Sequence, residues 1–250
     1  MSTASPPAGG QKGRDADHWA GPVGRLSTAN LPANAPTANV EGLQLTGPLR
    51  GFGRMWQKTF RVPLAGASVT PVELITVWKD NFEKFWPPGN HFYAPLTGLA
   101  PGEVAALSLA VPGSNITMLS TGVMVIYADE ESFTLMTPEG HPIAGWITFS
   151  AFMDGDTTVA QVQSLVRAAD PIFELGERLG AHKVNDDFWR QTIAAVAAHF
   201  AVRAPVDVRV VCVDPKVQWS QAGNVWRNSA IRTGIYTATA PLRALRRPRH

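Results

Sequence analysis

The sequence predicts an α+β fold in which a curved antiparallel sheet wraps around a C-terminal helix, with an added strand and helix behind it. Three observations carry this. An aromatic helix pattern occupies residues 71–85, a Gly/Pro-punctuated series of short apolar segments fills residues 93–166, and two further helix patterns follow. A curved sheet gripping a helix encloses a cavity, so the same three observations suggest a ligand.

The elements follow in order. Residues 55–64 place Trp56, Phe60 and Val62 at strand spacing, interrupted by Lys58 and ended by Pro63. Thr70-Pro71 supplies an N-cap hydroxyl and a proline at the first helical position. Leu74, Val77, Trp78, Phe82 and Phe85 then recur at helical spacing until Trp86-Pro87-Pro88-Gly89 stops the helix. Strand patterns occupy 103–111, 118–127, 132–137, 146–153 and 157–165. The turns between them are Pro112-Gly113, Asp129-Glu130-Glu131, the 138–142 run Pro-Glu-Gly-His-Pro, and Asp154-Gly155-Asp156, the last a hairpin signal. The consecutive turn-linked strands form a meander. Asp170-Pro171 opens a helix carrying Ile172, Leu175 and Leu179 and ended by Gly180. Asn185 or Asp186 caps a second helix with Trp189, Ile193, Val196 and Phe200 on one face. A strand at 207–213 and a short helix at 224–236 complete the pattern.

Composition sets the bounds. The chain has 250 residues, 45% apolar and 17% charged, enough for a properly buried core. Residues 1–40 are an Ala/Pro/Gly-rich leader too poor in aliphatics to offset the entropy of ordering, and are expected to be disordered. The main domain spans 41–202, an extension packed on it spans 203–241, and 242–250 is a basic tail, read as a solvated end. No signal peptide or membrane span is visible, which makes a cytoplasmic location the expectation. Cys212, the lone cysteine, sits between valines and reads as a small buried hydrophobe.

Three local runs resemble uncharacterised bacterial families close to the START-like (SRPBCC, helix-grip) superfamily. They are Gly51-Phe52-Gly53-Arg54-Met55-Trp56; Thr137-Pro138-Glu139-Gly140-His141-Pro142 with residues 145–150; and Arg167-Ala168-Ala169-Asp170-Pro171 with Phe188-Trp189. The resemblance covers about 43–202. It implies a helix-grip fold with an apolar tunnel between sheet and helix, where members of the superfamily commonly hold a hydrophobic ligand. These motifs are turn and core signatures, so they speak to fold more than to function.

The chemical candidates are few. His141, beside Glu139 in a turn, and His91, in a turn with Phe92 and Tyr93, are candidate acid/base groups; each also reads as a histidine bonding turn backbone. The expected ligand-binding residues are Arg54, Trp56, Lys58, Trp78, Phe82, Phe85, Tyr93, Trp146, Trp189 and Phe200. Arg54 and Lys58 would set positive charge at a cavity mouth or face solvent on an edge strand. The aromatic stripes suit a core, and in sum also suit a ligand-lined cavity. Gly51-Phe52-Gly53 lacks the third glycine of a dinucleotide loop, because Trp56 stands there. No HxxxH or HExxH spacing supports a metal, no serine elbow supports nucleophilic catalysis, and no cofactor is implied. Three functions stay open: a carrier of a small hydrophobic or lipid-like molecule, a cyclase- or aromatase-like enzyme using His141 or His91, and an interaction module with a filled cavity. The expected partners are that small molecule and, through the C-terminal extension, a second copy of the chain; no specific nucleic acid is expected.

Overall fold

The computed structural model describes residues 16–111 and 114–239. The basic tail 242–250 and the first fifteen residues of the expected leader lie outside them. Among the described residues eight strands form one antiparallel sheet in the order β2-β3-β4-β5-β6-β7-β1-β8. They are β1 (Met55–Pro63), β2 (His91–Tyr93), β3 (Val104–Ala110), β4 (Thr117–Ala128), β5 (Ser132–Met136), β6 (Ile143–Asp154), β7 (Thr157–Ala168) and β8 (Asp207–Asp214). The meander is as expected, and the Asp-Gly hairpin closes with Asp154 paired to Thr157. His91 to Tyr93, expected in a turn, instead form an edge strand paired with β3.

Among the described residues four α-helices accompany the sheet: α1 (Pro71–Asp80), α2 (Pro171–Gly176), α3 (His182–His199) and α4 (Ser229–Ala238). Thr70 and Glu73 close a full capping box at the start of α1, each side chain bonding the other's backbone N–H. The aromatic helix pattern runs past α1 into a 3-10 turn, Phe82–Phe85. Asp170 caps α2 through the N–H groups of Ile172 and Phe173. Neither Asn185 nor Asp186 caps α3. The helix begins earlier, at His182, after a π turn at Glu177–Ala181 in which Gly180 takes φ +115. Asp186 is thereby released for another task. The expected 224–236 helix resolves into a 3-10 helix, Trp219–Arg227, and α4, whose N-terminus is bonded by the Asn228 side chain.

Strand pairing fixes which side chains face inward. Trp56, Lys58, Phe60 and Val62 of β1 stand opposite Val166, Ser164, Val162 and Ala160 of β7, which in turn face Gly145, Ile147, Phe149 and Ala151 of β6. α1 and α3 cover this concave face. Between helices and sheet lies a continuous network of rings: Trp78 on Phe149 at 5.4 Å, Phe82 on Phe92 at 4.7 Å, Phe133 stacked on Phe149 at 4.7 Å, and Trp86 on Phe188 at 5.1 Å. Most meet edge to face, the arrangement the ring quadrupole favours, each pair adding about 0.5–1.5 kcal/mol beyond area burial. The space where the resemblance implies a tunnel is thus occupied by aromatic side chains.

Two expectations are corrected here. The leader is not disordered over residues 16–40. Leu26, Leu31 and Val40 are buried against Val104, Ala106 and Met124 on the convex face, and the Asn39 amide bonds both the Ser120 carbonyl and the Thr233 hydroxyl of α4, each at 3.0 Å. Three well-spaced aliphatics suffice because a sheet face is already there to receive them. Cys212 is exposed, not buried, because β8 is the last strand of the sheet and nothing covers its outer half.

The C-terminal extension is held by polar contacts. The buried Arg167 guanidinium bonds the carbonyls of Gly53 (2.6 Å) and Lys216 (2.8 Å) and pairs with Asp214. Asp170, which caps α2, also accepts from Asn228 at 2.8 Å.

Candidate functional site

Alternation along β1 turns Trp56 and Lys58 toward the concave side. Lys58 is 3% exposed. An ammonium that deep is tolerable only when paired, and Asp186 Oδ1, one turn into α3, sits 2.7 Å from Nζ. The π turn passes over this pair and adds Glu177 and His182. Burial pushes the Glu177 carboxyl up to about 7; Lys58 opposes that shift, Glu174 and Asp186 reinforce it, and Arg54 opposes it. His182 is held below its ordinary value, first by burial and then by the Lys58 charge.

Glu174 projects from the inner side of α2, 2.9 Å from the Arg178 guanidinium and 3.6 Å from Arg54. Gly53 makes its position possible, since a Cβ there would collide with the Glu174 carboxylate. The Gly51-Phe52-Gly53 run is therefore a close-packing device: a Cβ on Gly51 would lie 2.8 Å from that of Arg167. The Arg54 guanidinium lies 5.6 Å from the centroid of Trp56, whose ring meets that of His182 edge-on at 5.3 Å. Three buried polar atoms in this cluster, Arg54 Nε, Trp56 Nε1 and Glu177 Oε2, have no hydrogen-bond partner among the described residues. Glu177 Oε2 does lie 3.5 Å from His182 Nε2, an ion-pair distance without hydrogen-bond alignment.

The structure distributes the residues singled out in the sequence among four places. Arg54, Trp56 and Lys58 form the cluster just described. Trp78, Phe82, Phe85, Trp189 and Phe200 belong to the aromatic packing between sheet and helices. Tyr93 is corrected out of the interior, because it packs under the 16–40 segment on the convex face. Trp146 is corrected too: its neighbours Gly145 and Ile147 point inward, so the one-residue alternation turns it outward.

The two histidines singled out lie apart from this cluster. His91 is exposed on the edge strand, 3.0 Å from Glu83. His141 is buried in its turn, with Nδ1 3.1 Å from both the N–H and the carbonyl of Ile143; burial lowers it to about 4 and keeps it neutral.

Sequence reasoning missed Glu174, Glu177, His182 and Asp186: the two glutamates read as a solvated helix face, Asp186 as a cap, and His182 as one of several scattered histidines. The available signal was the i, i+3 spacing of Glu174 and Glu177 ahead of a glycine, facing a strand that carries an inward lysine. No three His, Cys, Asp or Glu side chains among the described residues are grouped to hold a metal.

The strand order, with α3 laid across the concave face, decides the architecture. It is a helix-grip arrangement, a curved antiparallel sheet with a long helix laid across its concave face. No protein-family model and no curated protein sequence matches the chain. Three solved structures similar to this chain illustrate the likeness. Major latex-like protein 151 from Panax ginseng has 13% identity, covering 60% of this chain and 100% of that one, at TM-score 0.39. The di-domain aromatase/cyclase StfQ from the steffimycin biosynthetic pathway has 12% identity, covering 58% and 50%, at 0.44. Truncated norcoclaurine synthase from Thalictrum flavum has 10% identity, covering 61% and 98%, at 0.39. Likeness at this level carries no functional assignment. No helix among the described residues is long and apolar enough to cross a membrane.

Proposed function

We propose that this protein binds a small amphipathic molecule at the open end of the grip, its polar group against Arg54, Trp56, Lys58 and Glu177 and its apolar part toward Phe188 and Trp189. The observation that carries the reading is the buried indole donor Trp56 Nε1, which has no hydrogen-bond partner among the described residues and stands beside Arg54 and His182. Leaving such a group unpaired costs about 1–3 kcal/mol, which a ligand accepting from the indole would recover. The ring-filled interior argues for a small ligand at the mouth over a long one drawn through the fold.

Titration with an environment-sensitive hydrophobic dye, displaced by a medium-chain fatty acid or a flat phenol, tests this. Trp56→Phe keeps the ring and removes the donor, and should weaken binding about tenfold. Absence of saturable binding overturns the proposal and leaves the interaction-module reading. A second reading has one observation in its favour: Glu177 held near neutrality beside Lys58 suits acid/base chemistry. On that reading Glu177 and His182, in place of His91 or His141, move the proton.

A further inference from the structure

One end of the molecule presents large apolar side chains to water from three adjoining segments. The Gln218 N–H bonds the Phe52 carbonyl at 2.7 Å, and the Trp219 ring meets Phe52 edge-on at 5.3 Å. The Asn224 amide donates to the carbonyls of Arg50 and Ala169, both at 2.9 Å. These bonds seat the Trp219–Arg227 helix against the Pro48–Arg50 turn and the start of α2. Outward from these segments, the rest of α2 and the π turn after it stand Leu49, Ile172, Leu175, Leu179, Trp219 and Trp226, with Trp226 87% exposed. Single exposed hydrophobes are ordinary; six on adjoining segments at one end are not.

Charge narrows the occupant. The side chains of Arg50, Arg178 and Arg227 are half-exposed, whereas the carboxylates they face, Glu139 and Glu174, are nearly buried, 11% and 5% exposed. Residues 45–54 and 215–239 contain no Asp or Glu, and the two acids of 171–181, Glu174 and Glu177, turn inward. The outer surface is therefore cationic around an apolar centre.

We infer that this end docks on an anionic lipid bilayer surface. Indole rings settle at the headgroup level with their apolar body inward, leucines enter the acyl boundary, and guanidinium groups pair with phosphates. The inference goes beyond ligand binding at the mouth of the grip and stands without it, since docking uses only the outer surface.

Co-sedimentation of the full chain with vesicles of phosphatidylcholine alone, and of phosphatidylcholine with phosphatidylglycerol, provides the test. Binding is expected to the anionic vesicles only, weakening as salt rises, with a blue shift of tryptophan emission. Trp219→Ser with Trp226→Ser should abolish it. Arg50→Gln with Arg227→Gln should weaken it about 25-fold, fivefold for each basic residue near the surface. Circular dichroism checks that each double variant is folded, and dye binding at the mouth should be unchanged. No binding to anionic vesicles, or equal binding by the wild type and both double variants, overturns the inference. A concentration-dependent dimer that the tryptophan variant loses also overturns it, by assigning the patch to a second copy.

Discussion

Glu177→Gln is the substitution that most directly probes the buried charge cluster. Burial raises the Glu177 carboxyl from 4.5 to about 7, and a shift of that size is worth about 3 kcal/mol between the two protonation states. The sign follows from proton counting. Between the two values the folded protein holds a proton that the unfolded chain has lost, so stability is full below about 4.5 and is lost as pH rises through about 7. Glutamine is neutral throughout and resembles the protonated acid. Urea midpoints followed by circular dichroism should show variant and wild type similar at pH 5. At pH 8 the variant should be the more stable by about 2–3 kcal/mol. Comparing the two proteins at each pH cancels the other titrating groups, which both share. A difference that is the same at pH 5 and pH 8 would refute the reasoning, because Glu177 would then be solvated in the folded state.

Other perturbations read other parts of the structure. Asp186→Asn leaves the Lys58 ammonium buried and unpaired and should lower stability by about 3 kcal/mol, while Lys58→Met with Asp186→Leu should restore most of it in the same denaturation assay. Deleting residues 1–40 uncovers the convex face and should destabilise by more than about 4 kcal/mol, given about 1.5–3 kcal/mol for each of Leu26, Leu31 and Val40; an unchanged melting temperature would place that segment in solvent. Gly140→Ala forces a side chain into φ +81 against the Arg227 carbonyl, and should cost about 1–3 kcal/mol and speed proteolysis of the C-terminal extension. His141 is held neutral, so its contribution is present above about 6.5 and lost as pH falls through about 4; His141→Gln should flatten the acid limb of the stability profile.

Much of the architecture was legible in the chain because local signals agreed with one another. The Thr70-Pro71 cap, the Asp154-Gly155-Asp156 hairpin and the strand alternation of the meander each act within a few residues, and each appears where its chemistry places it. The aromatic spacing of 74–85 likewise pointed to a core-facing element, although it could not tell a packed interior from an open one. The leader failed as an expectation for a different reason. Its burial depends on a sheet face built from residues more than sixty positions away, and composition alone carries no record of that face.

The functional cluster was the least legible part. Lys58 reads as the solvent side of an edge strand until β8, supplied by residues 207–214, pairs with β1 and makes it an inner strand. Glu174 and Glu177 read as solvated helix charges and Asp186 as a cap until the turn at Gly180 folds the helices across that strand. The sequence by itself determined the periodicities, caps and turns, which are contacts between near neighbours along the chain. Which charges lose their water was decided only by the tertiary structure, because desolvation depends on everything packed around a group, and here those neighbours come from strands and helices more than a hundred residues apart.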